Sequence, residues 1–287
     1  MIARDMVGKK VKAVAVTNGR IVRRHKAARE FRALLEGRTV KTAQRLGKNL
    51  VFALDNGSHL VVHLGMTGRL LRGGPKVPKP KHTHVVMTMA TGEEIRYVDP
   101  RTFGELYVST PPAAGAELSV TPLARLSVGG DGAAIRRSVP ELAHLGLDPF
   151  EDQIGWDRLA AVLRSHHLML KAFLTDQDII SGIGNIYADE ICFASGLLYD
   201  RYSDSLSVIE IRRLHRSIIE ILTDAVKHGG STLPDEQFTD PDGKSGNYQN
   251  FHAVYNREGQ PCRECRTPIE KVTFQQRSTY FCPKDQH

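Results

Sequence analysis

The 287-residue chain has only four cysteines, and three of them lie between positions 262 and 282. Cys192 sits alone in the apolar run Ile191-Cys192-Phe193 and reads as a buried core thiol. No disulfide framework can be drawn, which fits a reducing cytoplasm. No apolar run approaches the length of a membrane span, so no membrane partner is expected. The head, Met1-Ile2-Ala3-Arg4-Asp5-Met6, lacks the apolar core of a signal peptide. No internal repeat is evident. Acidic residues are outnumbered, 32 Asp and Glu against 39 Lys and Arg, giving a formal charge of +7 and a pI near 9.3. That excess favours an anionic partner, although charge alone also describes an ordinary basic protein. A 41% hydrophobic content is enough for real cores in one large or two medium domains.

The three clustered cysteines run Cys262-x2-Cys265-x16-Cys282, and Asp285 stands where a fourth ligand would complete the pattern. Two knuckles that each offer two ligands build a tetrahedral zinc ribbon. The fourth ligand is open between Asp285 and His287, and an empty ribbon held by its hairpin alone is the remaining alternative. Arg263, Arg266, Lys271, Arg277 and Lys284 make the segment basic, as in a nucleic-acid-binding module.

Residues 8–110 read as β. Val11 to Val16 is followed by the turn signal Asn18-Gly19, and further strands are expected at Leu50–Leu54, Leu60–Leu64, His84–Met89, Glu94–Val98 and Glu105–Val108. The stretch 73–81, Gly-Gly-Pro-Lys-Val-Pro-Lys-Pro-Lys, is an exposed basic loop. Residues 111–140, rich in Ala, Gly, Pro and Ser, read as loop and linker. From 141 the character is helical: Asp157–Leu163, His167–Leu174 and a longer element through Ile211, Leu214, Ile218, Leu222 and Ala225, stopped by Gly229-Gly230. Residues 231–250 read as a mobile loop and 251–287 as the ribbon. The expected fold class is α+β and multidomain: a β domain over 1–110 (sandwich or barrel), a linker over 111–140, a helical domain over 141–230, then loop and ribbon.

Within the helical part, Ser181-Gly182-Ile183-Gly184-Asn185-Ile186-Tyr187-Ala188-Asp189-Glu190 makes a tight turn in which Asn185 can cap the next helix, whose free N–H groups suit a phosphate. Together with Leu46-Gly47-Lys48-Asn49-Leu50, His63-Leu64-Gly65-Met66-Thr67-Gly68, Lys81-His82-Thr83-His84, Asp99-Pro100-Arg101-Thr102-Phe103-Gly104, Tyr255-Asn256-Arg257-Glu258-Gly259 and Arg277-Ser278-Thr279-Tyr280-Phe281-Cys282, it carries a resemblance over nearly the whole chain. The sequence resembles the formamidopyrimidine-DNA glycosylase and endonuclease VIII family. Met66, Arg101 and Phe103 place it nearer the bacterial formamidopyrimidine branch.

The resemblance implies an N-terminal β-sandwich, a helix–two-turn–helix domain and a zinc ribbon in a monomeric, cytoplasmic, nucleoid-associated bacterial protein. It implies base-excision repair of damaged double-stranded DNA: eversion of an oxidised purine (formamidopyrimidine, 8-oxoguanine), cleavage of its glycosidic bond and nicking of the abasic strand. A binder of the same fold that does not cut is the alternative. Arg101 and Phe103, two apart on an extended segment, would enter the duplex with Met66 as a third filler; taken singly, Met66 and Phe103 could be core residues. Lys48 is implied in phosphate contact and proton transfer during β-elimination, and Arg277 in phosphate contact and δ-elimination; read alone, each is an ordinary surface charge. His82, Asn185 and Lys171 are implied as phosphate contacts, although Lys171 could be a helix-surface charge and His82 a loop residue. His167 falls where the family often has lysine, so its contact is expected to be weaker and pH-dependent. The family opens with Met-Pro-Glu-Leu-Pro-Glu, whose proline amine is the nucleophile. This sequence aligns from within the helix that follows, so a start downstream of the native one, a non-cutting paralogue and Lys48 as substitute nucleophile are the three readings, in that order.

Overall fold

The computed structural model describes residues 2–111, 131–233 and 238–287. They form two compact units. The first comprises described residues up to 111, with 135–143, 229–233 and 238–246; the second comprises 131–134, 144–228 and 247–287.

The first unit opens with a short helix, α1 (Ile2–Met6), and strand β1 (Val11–Val16). Asn18-Gly19 does not close a hairpin: Asn18 caps a 3-10 turn over Gly19–Val22, its side chain accepting from the Arg20 N–H at 3.0 Å. Helix α2 (Ala28–Leu35) buries Phe31 and Leu35, one turn apart. Strands β2 (Val40–Leu46), β3 (Asn49–Leu54), β4 (His59–His63), β5 (Arg69–Gly73), β6 (Thr83–Met89), β7 (Glu94–Val98) and β8 (Glu105–Ser109) follow. They pair into two four-stranded antiparallel sheets, ordered β1-β6-β7-β5 and β2-β3-β4-β8. One apolar cluster draws on both: Val14, Val85, Met87 and Tyr97 from the first, Phe52, Leu60, Val62 and Leu106 from the second. This is a sandwich. The strands absent from the sequence reading, β2 and β5, are both edge strands with mixed polar sequences, and α2 interrupts a region read as β throughout.

Of the segment expected as linker, 112–130 lies outside the described residues, and Asp131–Ser138 is a helix, α3. The segment expected as a mobile loop is partly anchored. Thr239 pairs with Ser245, and Arg72 donates its N–H to the Pro241 carbonyl at 2.8 Å while its guanidinium bridges Asp5 (2.7 Å) and Asp242 (2.5 Å).

The second unit holds α4 (Trp156–Arg164), α5 (Leu170–Thr175), α6 (Asn185–Ser195), α7 (Val208–Lys227) and the hairpin β9 (Glu270–Phe274) and β10 (Arg277–Phe281). Ser207 and Glu210 form a capping box at the start of α7, whose buried Ile211, Leu214 and Ile218 keep helical spacing. They join Leu159, Leu163, Phe173, Ile191 and Cys192 in the helical core. The ribbon has a thinner core of Val254, Cys262, Ile269, Tyr280 and Cys282. Among the described residues no helix is long and apolar enough to cross a membrane.

Candidate functional site

On the first unit, Met66 and Phe103 are 46% and 44% exposed, too much for core residues, and Arg101 is exposed beside them. The Arg101 guanidinium lies 4.6 Å from the centre of the Phe103 ring, a cation–π contact that holds the pair together. The expected common direction is present, but its cause differs from the extended segment proposed from spacing. Residues 99–104 form a turn in which Thr102 takes a left-handed φ of 55°. That strain is held by one carboxylate.

Asp99 is fully buried and accepts from the N–H groups of Gly104 (2.9 Å) and Arg101 (3.2 Å), from the Tyr97 hydroxyl (3.1 Å) and from the Thr67 hydroxyl. Burial alone would raise the Asp99 carboxyl, but these donors outweigh it and hold it below the usual carboxylate range. The Thr67 link joins the 99–104 turn to the loop that carries Met66. Gly65, at φ +64°, makes the approach possible: a Cβ there would stand 2.7 Å from the Gly104 nitrogen. Met66 and Phe103 therefore project from two loops in backbone contact. His82 is exposed on the neighbouring segment, its carbonyl accepting the Asp99 N–H at 3.1 Å, and the ring of His84 reaches the Asp99 carbonyl at 2.9 Å.

Lys48 occupies the two-residue turn between β2 and β3, where Leu46 pairs with Asn49. Its side chain is exposed, and its charge adds to burial in lowering the pKa of His63, the β4 residue paired with Asn49.

On the second unit, Arg277 is exposed at the start of β10, just past the turn Gln275-Gln276. The Ser278 carbonyl beside it accepts from Lys171 Nζ and Asn185 Nδ2, each at 3.1 Å. Here the structure corrects two expectations. Lys171 is neither a helix-surface charge nor placed to contact phosphate. It is 2% exposed, with Nζ 2.7 Å from Asp189 and 2.6 Å from the Thr279 hydroxyl. Asn185 does not cap α6; Gly184 does, and Asn185 is the first helical residue, facing the ribbon. Asp189 also accepts the Tyr280 N–H at 3.0 Å, and burial pushes it up to about 7. Next to it, buried Glu190 accepts three backbone N–H groups, those of Ala253, Val254 and Tyr255, at 2.7 to 3.1 Å. The two acids of the turn motif are thus the anchors of the ribbon, a role the sequence reading left unassigned. Acids between Ala188 and Ile191-Cys192 in an apolar helix are the signal that points to it. His167 is exposed, stacked on Tyr202 at 4.1 Å, with Nδ1 2.9 Å from Asp204.

At the ribbon's other end, the ligand atoms of Cys262, Cys265, Cys282 and Asp285 all lie within 4.8 Å of one another. The Asp285 carboxylate is 3.0 Å from the Cys262 sulfur, and the sulfurs of Cys265 and Cys282 are 3.5 Å apart. A tetrahedron with zinc–sulfur bonds of about 2.3 Å has edges of roughly 3.8 Å, so the four groups fit a structural zinc. His287 is outside the group, held by backbone bonds to Gly196 and Leu198, which leaves Asp285 as the fourth ligand.

Three family descriptions match this chain: the formamidopyrimidine-DNA glycosylase N-terminal domain over residues 1–106, the H2TH domain of the same enzyme over 145–237, and the zinc finger found in FPG and IleRS over 259–287. Formamidopyrimidine-DNA glycosylase of Thermus thermophilus is 37% identical over 92% of this chain and 88% of its own length, and that of Nocardia farcinica is 34% identical over 99% and 94%. Among solved structures, the Thermus thermophilus MutM (Fpg) protein superposes with a TM-score of 0.79 at 35% identity, over 99% of this chain and 93% of its own. Lactococcus lactis Fpg bound to DNA containing an abasic site gives 0.81 at 27% identity, over 100% and 95%. These matches, with the exposed Arg101–Phe103 pair and the three-cysteine, one-aspartate ribbon, show that the chain belongs to the formamidopyrimidine-DNA glycosylase family.

Proposed function

We propose that the chain is a base-excision DNA glycosylase with abasic-site lyase activity on oxidised purines in duplex DNA. The observation that carries this reading is the exposed, stacked Arg101–Phe103 pair on a turn held by buried Asp99, with Met66 on the adjoining loop. A cation and two apolar side chains presented together can fill the gap left by an everted nucleotide, offsetting the few kcal/mol lost on unstacking. The substrate class is supported by neighbours: Lactococcus lactis Fpg has been solved with DNA containing an abasic site and with DNA containing Fapy-dG.

Lys48 supplies a flexible ammonium for phosphate contact and for moving a proton in β-elimination. Arg277 supplies a planar guanidinium for phosphate contact and the second elimination. His82, His167 and Asn185 serve the DNA backbone. Lys171 acts only through the ribbon it holds. Glycosidic cleavage through an imine needs an amine near the sugar. Borohydride trapping on an 8-oxoguanine duplex tests the reading, using the 287-residue chain and the same chain preceded by Met-Pro-Glu-Leu-Pro-Glu. A trapped adduct with the extended chain is expected. Lesion-selective binding with no adduct in either form would replace the enzyme by a non-cutting binder.

A further inference from the structure

Between β5 and β6 the chain runs Gly74-Pro75-Lys76-Val77-Pro78-Lys79-Pro80-Lys81-His82, with no acidic residue, and every residue from Pro75 to His82 is exposed. Such tracts are ordinarily solvated loops. This one is built on a buried arginine. Arg96, on β7 and 1% exposed, donates its Nε–H to the Glu94 carboxylate at 2.8 Å and gives its Nη donors to the tract: the carbonyls of Gly74 (2.7 Å), Val77 (2.8 Å) and Pro78 (3.0 Å). Gly73 leaves the space for this, since a Cβ there would stand 2.4 Å from Arg96 Nε. The Val77 N–H closes a turn on the Gly74 carbonyl at 2.9 Å, and the Thr83 hydroxyl holds the Pro80 carbonyl at 2.7 Å. Three prolines fix φ between these ties. The backbone ordering that binding would otherwise cost is already complete.

The three ammonium groups of Lys76, Lys79 and Lys81 have no ion-pair or hydrogen-bond partner among the described residues. Before His82 the tract has no aromatic ring to stack on a base and no amide or imidazole side chain to read a base edge. Its chemistry is that of phosphate contact, which positions without specifying. At its far end it enters His82, whose carbonyl holds Asp99, and so the turn that carries Arg101 and Phe103.

We propose that Lys76, Lys79 and Lys81 form a preorganised arm that grips backbone phosphates of duplex DNA flanking the Arg101–Phe103 entry point. The inference rests on the DNA-repair reading above and adds a source of affinity independent of the lesion. Each phosphate neutralised contributes about 0.9 to the slope of log K against log salt on duplex DNA.

The test is the salt dependence of binding to matched lesion and undamaged duplexes. Lys76→Gln/Lys79→Gln/Lys81→Gln is compared with the parent and with Lys12→Gln/Lys26→Gln/Lys41→Gln, which lowers the formal charge equally from exposed positions elsewhere on the same unit. The arm variant is expected to bind with a slope shallower by about 2 to 3, so that about 40-fold less affinity is lost between 50 and 200 mM salt. Its preference for the lesion duplex should equal the parent's. An unchanged slope, or an equal change in the control variant, overturns the arm. A parent with no lesion preference counts instead against the glycosylase reading, and the slope comparison still decides the arm.

Discussion

The sandwich and the ribbon each hold an exposed group in place, and they do so by different means. In the sandwich, the turn of Arg101 and Phe103 rises from an apolar core that draws on every strand of both sheets, and one buried carboxylate, Asp99, sets its shape. In the ribbon, Arg277 rides on a two-stranded hairpin with five buried residues beneath it. What the ribbon lacks in apolar area it recovers from polar anchors: Lys171 and Asp189 at one side, Glu190 beneath 253–255, and the three cysteines with Asp285 at the other end. An exposed group set on a large core is held by one buried carboxylate. One set on a small core takes several polar anchors, and a metal site.

The largest effect that separates the two should come from chelation. Structural zinc contributes folding energy directly, on the order of 10 kcal/mol in small ribbons. Stripping it should abolish amide protection in 262–286, while β3, β4 and β6 exchange as before, as hydrogen exchange would report. Equal loss in both regions would break the distinction. Next, Lys171→Met should cost about 3–5 kcal/mol in denaturant unfolding of the helical and ribbon unit, because it leaves Asp189 buried without its counter-charge. Lys171→Met with Asp189→Leu should recover much of that. Smaller again, Asp99→Asn should cost about 1–3 kcal/mol by turning one acceptor oxygen into a donor among buried N–H and O–H groups. Its sharper readout is lost lesion preference with undamaged-duplex affinity retained.

The smallest effect is one of pH. Burial holds His252 at about 4, below its ordinary 6.5. A depressed base contributes stability that is complete above pH 6.5 and lost as pH falls through about 4. The ribbon-bearing unit should therefore lose stability as pH falls from 6.5 towards 4, and His252→Gln should flatten that limb of its stability profile.

Much of this was legible beforehand. The β-branched strands such as Val11–Val16, the long helix through Ile211 and Leu214 and the cysteine spacing all carry their composition, periodicity or ligand count in the sequence. The edge strands β2 and β5 carry little, because one side of each meets no partner strand. Lys171 shows the main limit. A lysine in a helix looks the same whether it faces water or a buried aspartate 18 residues on, and only the fold distinguishes the two. Asp99 shows the other. The motif around it was recognisable, yet its part in shaping the turn depends on four donors that converge only in three dimensions.

The most direct measurement is the ratio of dissociation constants for undamaged and 8-oxoguanine duplexes, taken for Arg101→Ala and Arg277→Ala beside the parent. The sandwich turn is assigned to lesion reading and the ribbon to grip. Arg101→Ala should then collapse the ratio while binding undamaged duplex nearly as the parent does. Arg277→Ala should weaken both duplexes by a similar factor and leave the ratio standing. A ratio lost in Arg277→Ala and kept in Arg101→Ala would contradict that division of labour.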